Sequence, residues 1–502
     1  MRATDLFAYE YFRKETAEPL QLFQPAGAWV RLALQMSLES DAVLRGIMAV
    51  GVAHRAYISV TNTSLSVLML TEDKVLARKL YGEALTALQR YIEKAKHRAA
   101  PIEPISVASL LLITFETIFQ DKYVAFAHFP LAQKLVDQLH DTKITEESKP
   151  KVQSCAAATQ LSATFDRLRG ELTPLLDSMQ ITDLPRHCAA PLNHRLDVRL
   201  AHLIVEHDAI LQGLRTLAAP HWAHRSDFDR AVRLCLTYCH SRSIALPPNS
   251  TLPSRISSLL DNLHAWSEVV KTYPNHASRY LQLLRIRHFT TLFCLSTCRA
   301  TSETPTDALT ANFNATLNTI ESYLSSSDPA PDSPPRIPSL PNPPNKPPTP
   351  QLSFSLDHGL LPALHLIATK CRALPTRLRA IALLRAHRRR EGLRLSSVVA
   401  AVAESVIALE ETRAADTWPM PEGARFAETV ICGQRADARR VRLVCGRFEA
   451  GSRGRRVVIE EFEGQGSPLC AVPVGLRVWD LGGVEWEGGG GAELGVVVSC
   501  TP

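Results

Sequence analysis

The side chains that could do chemistry fall into a few small groups. His202 and His207 flank Glu206 in HLIVEH. Two zinc-binding histidines on one helical face need i, i+4 spacing, and these stand at i, i+5. They read as partly exposed histidines on an amphipathic helix. His221 and His224 in HWAH could share a face, but no second ligand pair is visible. Two cysteine pairs, Cys235/Cys239 and Cys294/Cys298, have i, i+4 spacing, which turns each pair to one side of its helix. If those helices packed together, four thiolates could hold zinc. Structural zinc sites usually use CxxC-type knuckles, however, and free cysteine is among the most buried residue types. Core packing is the expected role.

The remaining candidate is basic. Arg372, Arg377, Arg379, Arg385, Arg388, Arg389, Arg390 and Arg394 are offset only by Glu391. Such a run could contact phosphate or direct nuclear import. The plainer reading is a solvated helix face followed by a turn. No aromatics interleave with these arginines, which argues against stacking on single strands. Enzyme signatures are missing: there is no GxSxG, no GxxxxGK[ST], and no GxGxxG after a strand. Ala450-Gly451-Ser452-Arg453-Gly454 comes near the first but lacks its leading glycine. Gly488 to Gly491 reads as a turn, because nothing there places a helix N-terminus on a phosphate. The expectation is therefore no catalytic, cofactor-binding, metal or DNA-binding residue set, no cofactor, and no enzyme.

The elements that carry these residues read as helix after helix. Val75, Leu76, Leu80, Tyr81, Ala84, Leu85, Leu88, Tyr91 and Ile92 recur at i, i+3/i+4 and form one apolar stripe. Ser40 is placed to cap a helix carrying Val43, Leu44, Ile47, Met48 and Val50. Ile105 to Phe119 is apolar almost all round and predicts a central helix, and Tyr123 to Leu139 continues the pattern. More helical periods follow near 153–171, 196–217, 227–245, 252–271, 277–299 and 306–326. The expected fold class is all-α, with residues 1–326 as the first part of a large multi-helix domain. Residues 327–350 are a Pro-rich linker, since proline removes a donor and clashes with the preceding turn. Residues 351–424 resume the helical pattern from Phe354. Residues 425–502 form a Gly-rich tail, partly β or disordered, with strand-like runs RRVVIEEF, PLCAVPV, LRVWDL and LGVVVSC.

Composition bounds the partners. The 502 residues carry 56 Lys+Arg against 50 Asp+Glu, a net charge of +6. That excess is too small for a binder whose affinity comes from a dense basic surface. With 45% hydrophobic residues the chain can bury a sizeable core. The start has no apolar signal region, and the Ile105–Phe119 stretch is shorter than the ~20 apolar residues a bilayer needs. Eleven scattered cysteines are no disulfide framework. These features predict an intracellular protein without a membrane partner.

Several stretches resemble the helical regulatory domain of fungal transcription factors of the binuclear zinc-cluster class. Tyr11-Phe12, Trp29 and His54, in YEYFRKETAEPL and FQPAGAWVRLALQMSLESDAVLRGIMAVGVAHRAY, match that domain's opening. YGEALTALQRYI, ISVASLLLITFETIFQDKYVAFAHFPLAQKLV, ATFDRLRGEL and YLQLLRIRHFTTLF resemble later helices. The closest stretch runs from Phe354 to Glu411. It contains Ala368 to Arg372 (Ala-Thr-Lys-Cys-Arg) and a basic helix closing in Arg389 to Gly392 (Arg-Arg-Glu-Gly). The resemblance spans about residues 5 to 450 and places the arginine run inside a structural motif. The six-cysteine DNA-binding element of that class has no counterpart: no cysteine precedes Cys155, and no later group has its spacing.

The resemblance implies a nuclear regulator of transcription. Without a zinc cluster in these residues, it implies action through protein contacts, with a zinc-cluster factor or a co-regulator as partner. A metabolic or secondary-metabolite gene cluster is the target class that the family suggests. The alternatives are a shortened gene product whose zinc-cluster exon is missing, and a cytoplasmic helical scaffold or small-molecule sensor. Neither target genes nor oligomeric state can be read from the residues.

Overall fold

The computed structural model describes residues 3–17, 20, 28–59, 67–96, 103–119, 196–218, 238–239, 241–272, 279–325, 353–355, 359–392, 394–415, 417, 419–432, 440–449, 456–465 and 470–480. The chain divides into two compact units that interleave along the sequence. One takes residues 1–176, 328–359 and 386–396; the other takes 177–327, 360–385 and 397–502. Described residues are mostly helical, as the periodicity predicts, with two small sheets. No helix among them is long and apolar enough to cross a membrane.

The first unit is built around α3 (Asp41–Ser59). Twelve of its residues are buried, because small residues and aliphatics occupy nearly every face. Against it lie α1 (Ala3–Tyr11) and a π-helical turn over Phe12–Thr16. The approach there is so close that a Cβ at Gly51 would stand 2.6 Å from the Ala8 carbonyl and 3.0 Å from Phe12. Glycine is the residue that permits it. The helices α2 (Ala28–Met36), α4 (Val67–Lys96) and α5 (Glu103–Phe119) complete the layer. Trp29 and Phe12 are fully buried in this core. The predicted stripe on α4 faces it, except for Val75, which is exposed. The predicted central helix is α5, buried from Ile105 to Ile118.

Two local expectations are corrected. Ser40 does not cap α3 with its side chain: its Oγ is buried without a partner, and its carbonyl accepts from the Leu44 amide at 3.0 Å. The resumed segment is not helical at its start. Ser353–Ser355 forms β1, parallel to β2 (Arg389–Glu391), which turns at Gly392 (φ 53°) and pairs with β3 (Arg394–Leu395). Arg-Arg-Glu-Gly is therefore a strand and turn rather than a helix end. Partners 36 residues apart supply its hydrogen bonds, and no helical period reveals such pairing.

In the second unit, α6 (Leu196–Ala218), α7 (Leu252–Lys271), α8 (Arg279–Thr297) and α9 (Thr310–Ser325) are joined by α10 (Leu361–Lys370), α11 (Leu374–Ala386) and α12 (Ser396–Ala414). Trp266 of α7 stacks on His288 of α8 at 4.8 Å, and the His288 ring bonds the Leu263 carbonyl at 2.9 Å. The strand-like tail forms an antiparallel meander: β4 (Glu428–Cys432), β5 (Arg440–Phe448), β6 (Arg456–Gln465) and β7 (Cys470–Asp480). One strand, β7, absorbs most of PLCAVPV and LRVWDL, with a register shift at Glu461/Phe462 on its neighbour. Leu443 and Cys445 of β5 pack with Val402 and Val406 of α12. The sheet is thus part of this unit's core. The linker at 327–350, the helical periods at 123–139 and 153–171, most of 227–245, and LGVVVSC lie outside the described residues.

Candidate functional site

The arginine run loses its free-surface character in the fold. Arg372 and Arg377 are buried on one carboxylate, Glu410, at 2.7 and 2.8 Å. Arg377 also donates to the Ala368 carbonyl at 2.7 Å. Arg389 meets Glu391 at 2.8 Å. Arg390 is buried and donates to the Gly392 and Ile118 carbonyls. Arg379 and Arg385 form exposed pairs with Glu321 and Glu404, of a kind worth ~0–1 kcal/mol each. Arg388 and Arg394 are exposed. The expected solvated face is therefore corrected for four of the eight arginines. Their carboxylate partners or carbonyl acceptors come largely from other elements, which residue spacing along the run cannot reveal.

The Ala-Thr-Lys-Cys-Arg stretch also has a structural job. Lys370 is buried and pairs with Glu303 at 2.9 Å, while donating to the Phe426 and Ala427 carbonyls. Arg242 holds the other oxygen of Glu303. Burial alone would raise the Glu303 pKa, but Lys370 and Arg242 outweigh it and hold the carboxyl down at about 2. Arg425 grips Asp307 with two bonds of 2.8 Å. Glu422 accepts from the Glu303 and Thr304 amides at 2.6 and 3.1 Å. This network binds the helices before residue 326 to the segment after residue 360, all within the second unit. Nothing but long-range pairing signals it, so sequence reading misses Glu303, Glu410 and Asp307.

In the first unit, Tyr11, Phe12 and His54 converge. His54 Nδ1 and Thr16 Oγ1 are hydrogen-bonded at 3.0 Å. Its ring meets Tyr11 at 6.2 Å and Phe354 at 6.0 Å. Burial pushes its pKa down to about 4, so the ring is neutral near pH 7. These are packing roles.

The remaining histidines and cysteines part company. His202 is half-buried, whereas His207 is buried, contrary to the partly exposed reading. Glu206 leans toward Arg255 at 3.8 Å. His207 Nδ1 donates to Asp208 Oδ1 at 2.9 Å; burial would lower its pKa, but Asp208 and Cys294 hold it up at about 9. Cys239 and Cys298 are buried free thiols, and Cys294 is half-buried. No group of three or more metal-ligating side chains occurs among the described residues. Cys235, His221, His224, the Ala450–Gly454 stretch and Gly488–Gly491 lie outside them.

The family model for the fungal specific transcription factor domain matches residues 7–198. No curated protein and no solved structure matches the chain.

Proposed function

We propose that this chain is a fungal regulator of transcription that works through protein contacts. The observation carrying this reading is the match of residues 7–198 to the fungal specific transcription factor domain. Supporting it, Phe12, Trp29 and His54 of the matched segment are buried around α3, and the half-buried Tyr11 meets the His54 ring. The buried arginines remove half of the run that could have held phosphate. In this reading promoter choice falls to a DNA-reading partner of the zinc-cluster class or to a co-regulator. The nucleus is the compartment this role requires. A metabolic or secondary-metabolite gene cluster is the proposed target. The match to a transcription factor domain favours a regulator over an enzyme.

The test is removal of the gene, followed by transcript profiling and imaging of a tagged copy. The expected result is a coherent gene set whose transcripts change, with the tag in the nucleus. Unchanged transcripts and a tag confined to the cytoplasm would overturn the reading in favour of a scaffold or sensor.

A further inference from the structure

Two buried arginines of the second unit share a single carboxylate. Arg372, in the link between α10 and α11, and Arg377 on α11 both reach Glu410 of α12. They meet the same oxygen, Oε2, at 2.7 and 2.8 Å, while Oε1 accepts from the Phe426 amide at 3.1 Å. All three side chains are more than nine-tenths buried. Burial holds the Arg377 pKa below the ordinary arginine value in spite of Glu410, and Arg372 adds to the fall. The group is short of one negative charge.

The donors on Arg372 show where that charge belongs. Arg377 gives its other donors to the Ala368 and Thr369 carbonyls. Lys370 and Arg242 also share a carboxylate, Glu303, but each holds its own oxygen and spends its other donors on carbonyls. Arg372 differs. Its Nη1 holds Glu410, with Met420 Sδ at 3.8 Å. Its Nε and Nη2 are buried with no hydrogen-bond partner among the described residues. Together they form one edge of the planar guanidinium, a fork that grips both oxygens of a carboxylate. Elsewhere this chain uses that edge in just this way: Arg385 gives Nε and Nη2 to the two oxygens of Glu404 at 3.1 and 2.6 Å. Charged donors left unmatched in a core are destabilising.

We infer that Arg372 binds a small organic monocarboxylate through its Nε–Nη2 edge. The fork selects a planar head with two oxygens. One carboxylate supplies the one charge that Arg372 and Arg377 lack. Arg372 touches Met420, which clusters with Ala414 and Ala424 and so offers apolar surface to a short aliphatic tail. Ala415, Thr417 and Pro419 of the same segment are exposed, so the ligand has solvent close by. A phosphate also fits a fork, but it brings a charge of about −1.5 to −2 near pH 7. That is more than this buried pair can balance. The inference is independent of any role in transcription.

The experiment is isothermal titration calorimetry of the purified full chain near pH 7 at constant ionic strength. The probes are butyrate, acetate and inorganic phosphate. One saturable butyrate site is expected, with acetate about tenfold weaker for the loss of two methylenes, and phosphate weaker than butyrate. Arg372→Lys keeps a cation for Glu410 and removes the fork, so butyrate affinity should fall about tenfold or more in the folded variant. If that variant does not fold, the wild-type chain is photolysed with a diazirine analogue of butyrate. The label should fall on residues 414–424, and excess butyrate should suppress it. The absence of saturable butyrate binding to the folded wild-type chain would overturn the proposal. So would phosphate bound more tightly than butyrate, undiminished affinity in folded Arg372→Lys, or a label placed elsewhere.

Discussion

His54 and His207 are both buried, yet their partners drive them to opposite charge states. His54 has a hydroxyl beside it and burial dominates, whereas at His207 a carboxylate and a thiol outweigh burial. Their pH dependences are opposite in sign. The folded state binds the His54 proton more weakly than the unfolded state, with a pKa of about 4 against 6.5. Stability from this residue is present above pH 6.5 and is lost as pH falls toward 4, on the order of 3 kcal/mol in all. The folded pKa of His207 lies above the unfolded value. Its contribution is present below pH 6.5 and is lost as pH rises through about 9. Glu303, held at about 2, adds an acid-side loss beginning below the ordinary glutamate value of 4.5. Thermal unfolding between pH 3 and 10 should show a broad maximum near neutrality. His54→Asn should flatten the limb between pH 4 and 6.5 and leave the alkaline limb alone. Sequence shows that His54 and His207 sit on helices. It cannot show which neighbour each ring meets, and that neighbour decides the charge.

At the scale of elements, two contacts set how tightly the layers close. The Gly51 contact brings α1 and the π turn against α3 with no room for a methyl group. Gly51→Ala should destabilise the first unit by ~1–3 kcal/mol, read as a lower denaturation midpoint with an unchanged slope. Leu443 anchors β5 on α12 and is fully buried. Leu443→Ala should cost about 2–5 kcal/mol, and a loss below 0.5 kcal/mol would mean that the sheet is not part of the core. The helices were legible because a 3.6-residue period records one buried face: α4, α5, α7 and α8 lie where that pattern puts them. The strands β1–β3 were not. Their hydrogen bonds join Ser353 to Arg389 and Phe354 to Arg390, and two- or three-residue strands leave no period to read. The meander was legible as strand-like runs between glycines, but its register and its packing on α12 depend on distant residues.

At the scale of the whole molecule, each unit is assembled from segments far apart in the chain, and buried ion pairs fasten the second. Glu303→Gln would leave Lys370 and Arg242 without their counter-charge. That should destabilise by ~3–5 kcal/mol, a fall in Tm of roughly 10 °C. Lys370 belongs to the Ala-Thr-Lys-Cys-Arg stretch that resembles the zinc-cluster regulators. The role of its lysine was not legible in the sequence, because Glu303 lies 67 positions away. The arginines invite a phosphate reading until their partners are seen. Arg388→Ala with Arg394→Ala, the exposed pair, should leave chromatin association unchanged.

If the proposed function holds, the chain acts on promoters through a partner that reads DNA. The most direct measurement is chromatin immunoprecipitation of the tagged chain, with and without its cross-linked partner. The expected result is enrichment at a discrete set of promoters, lost when a six-cysteine partner recovered with the chain is removed. Occupancy no higher than an untagged control would contradict it.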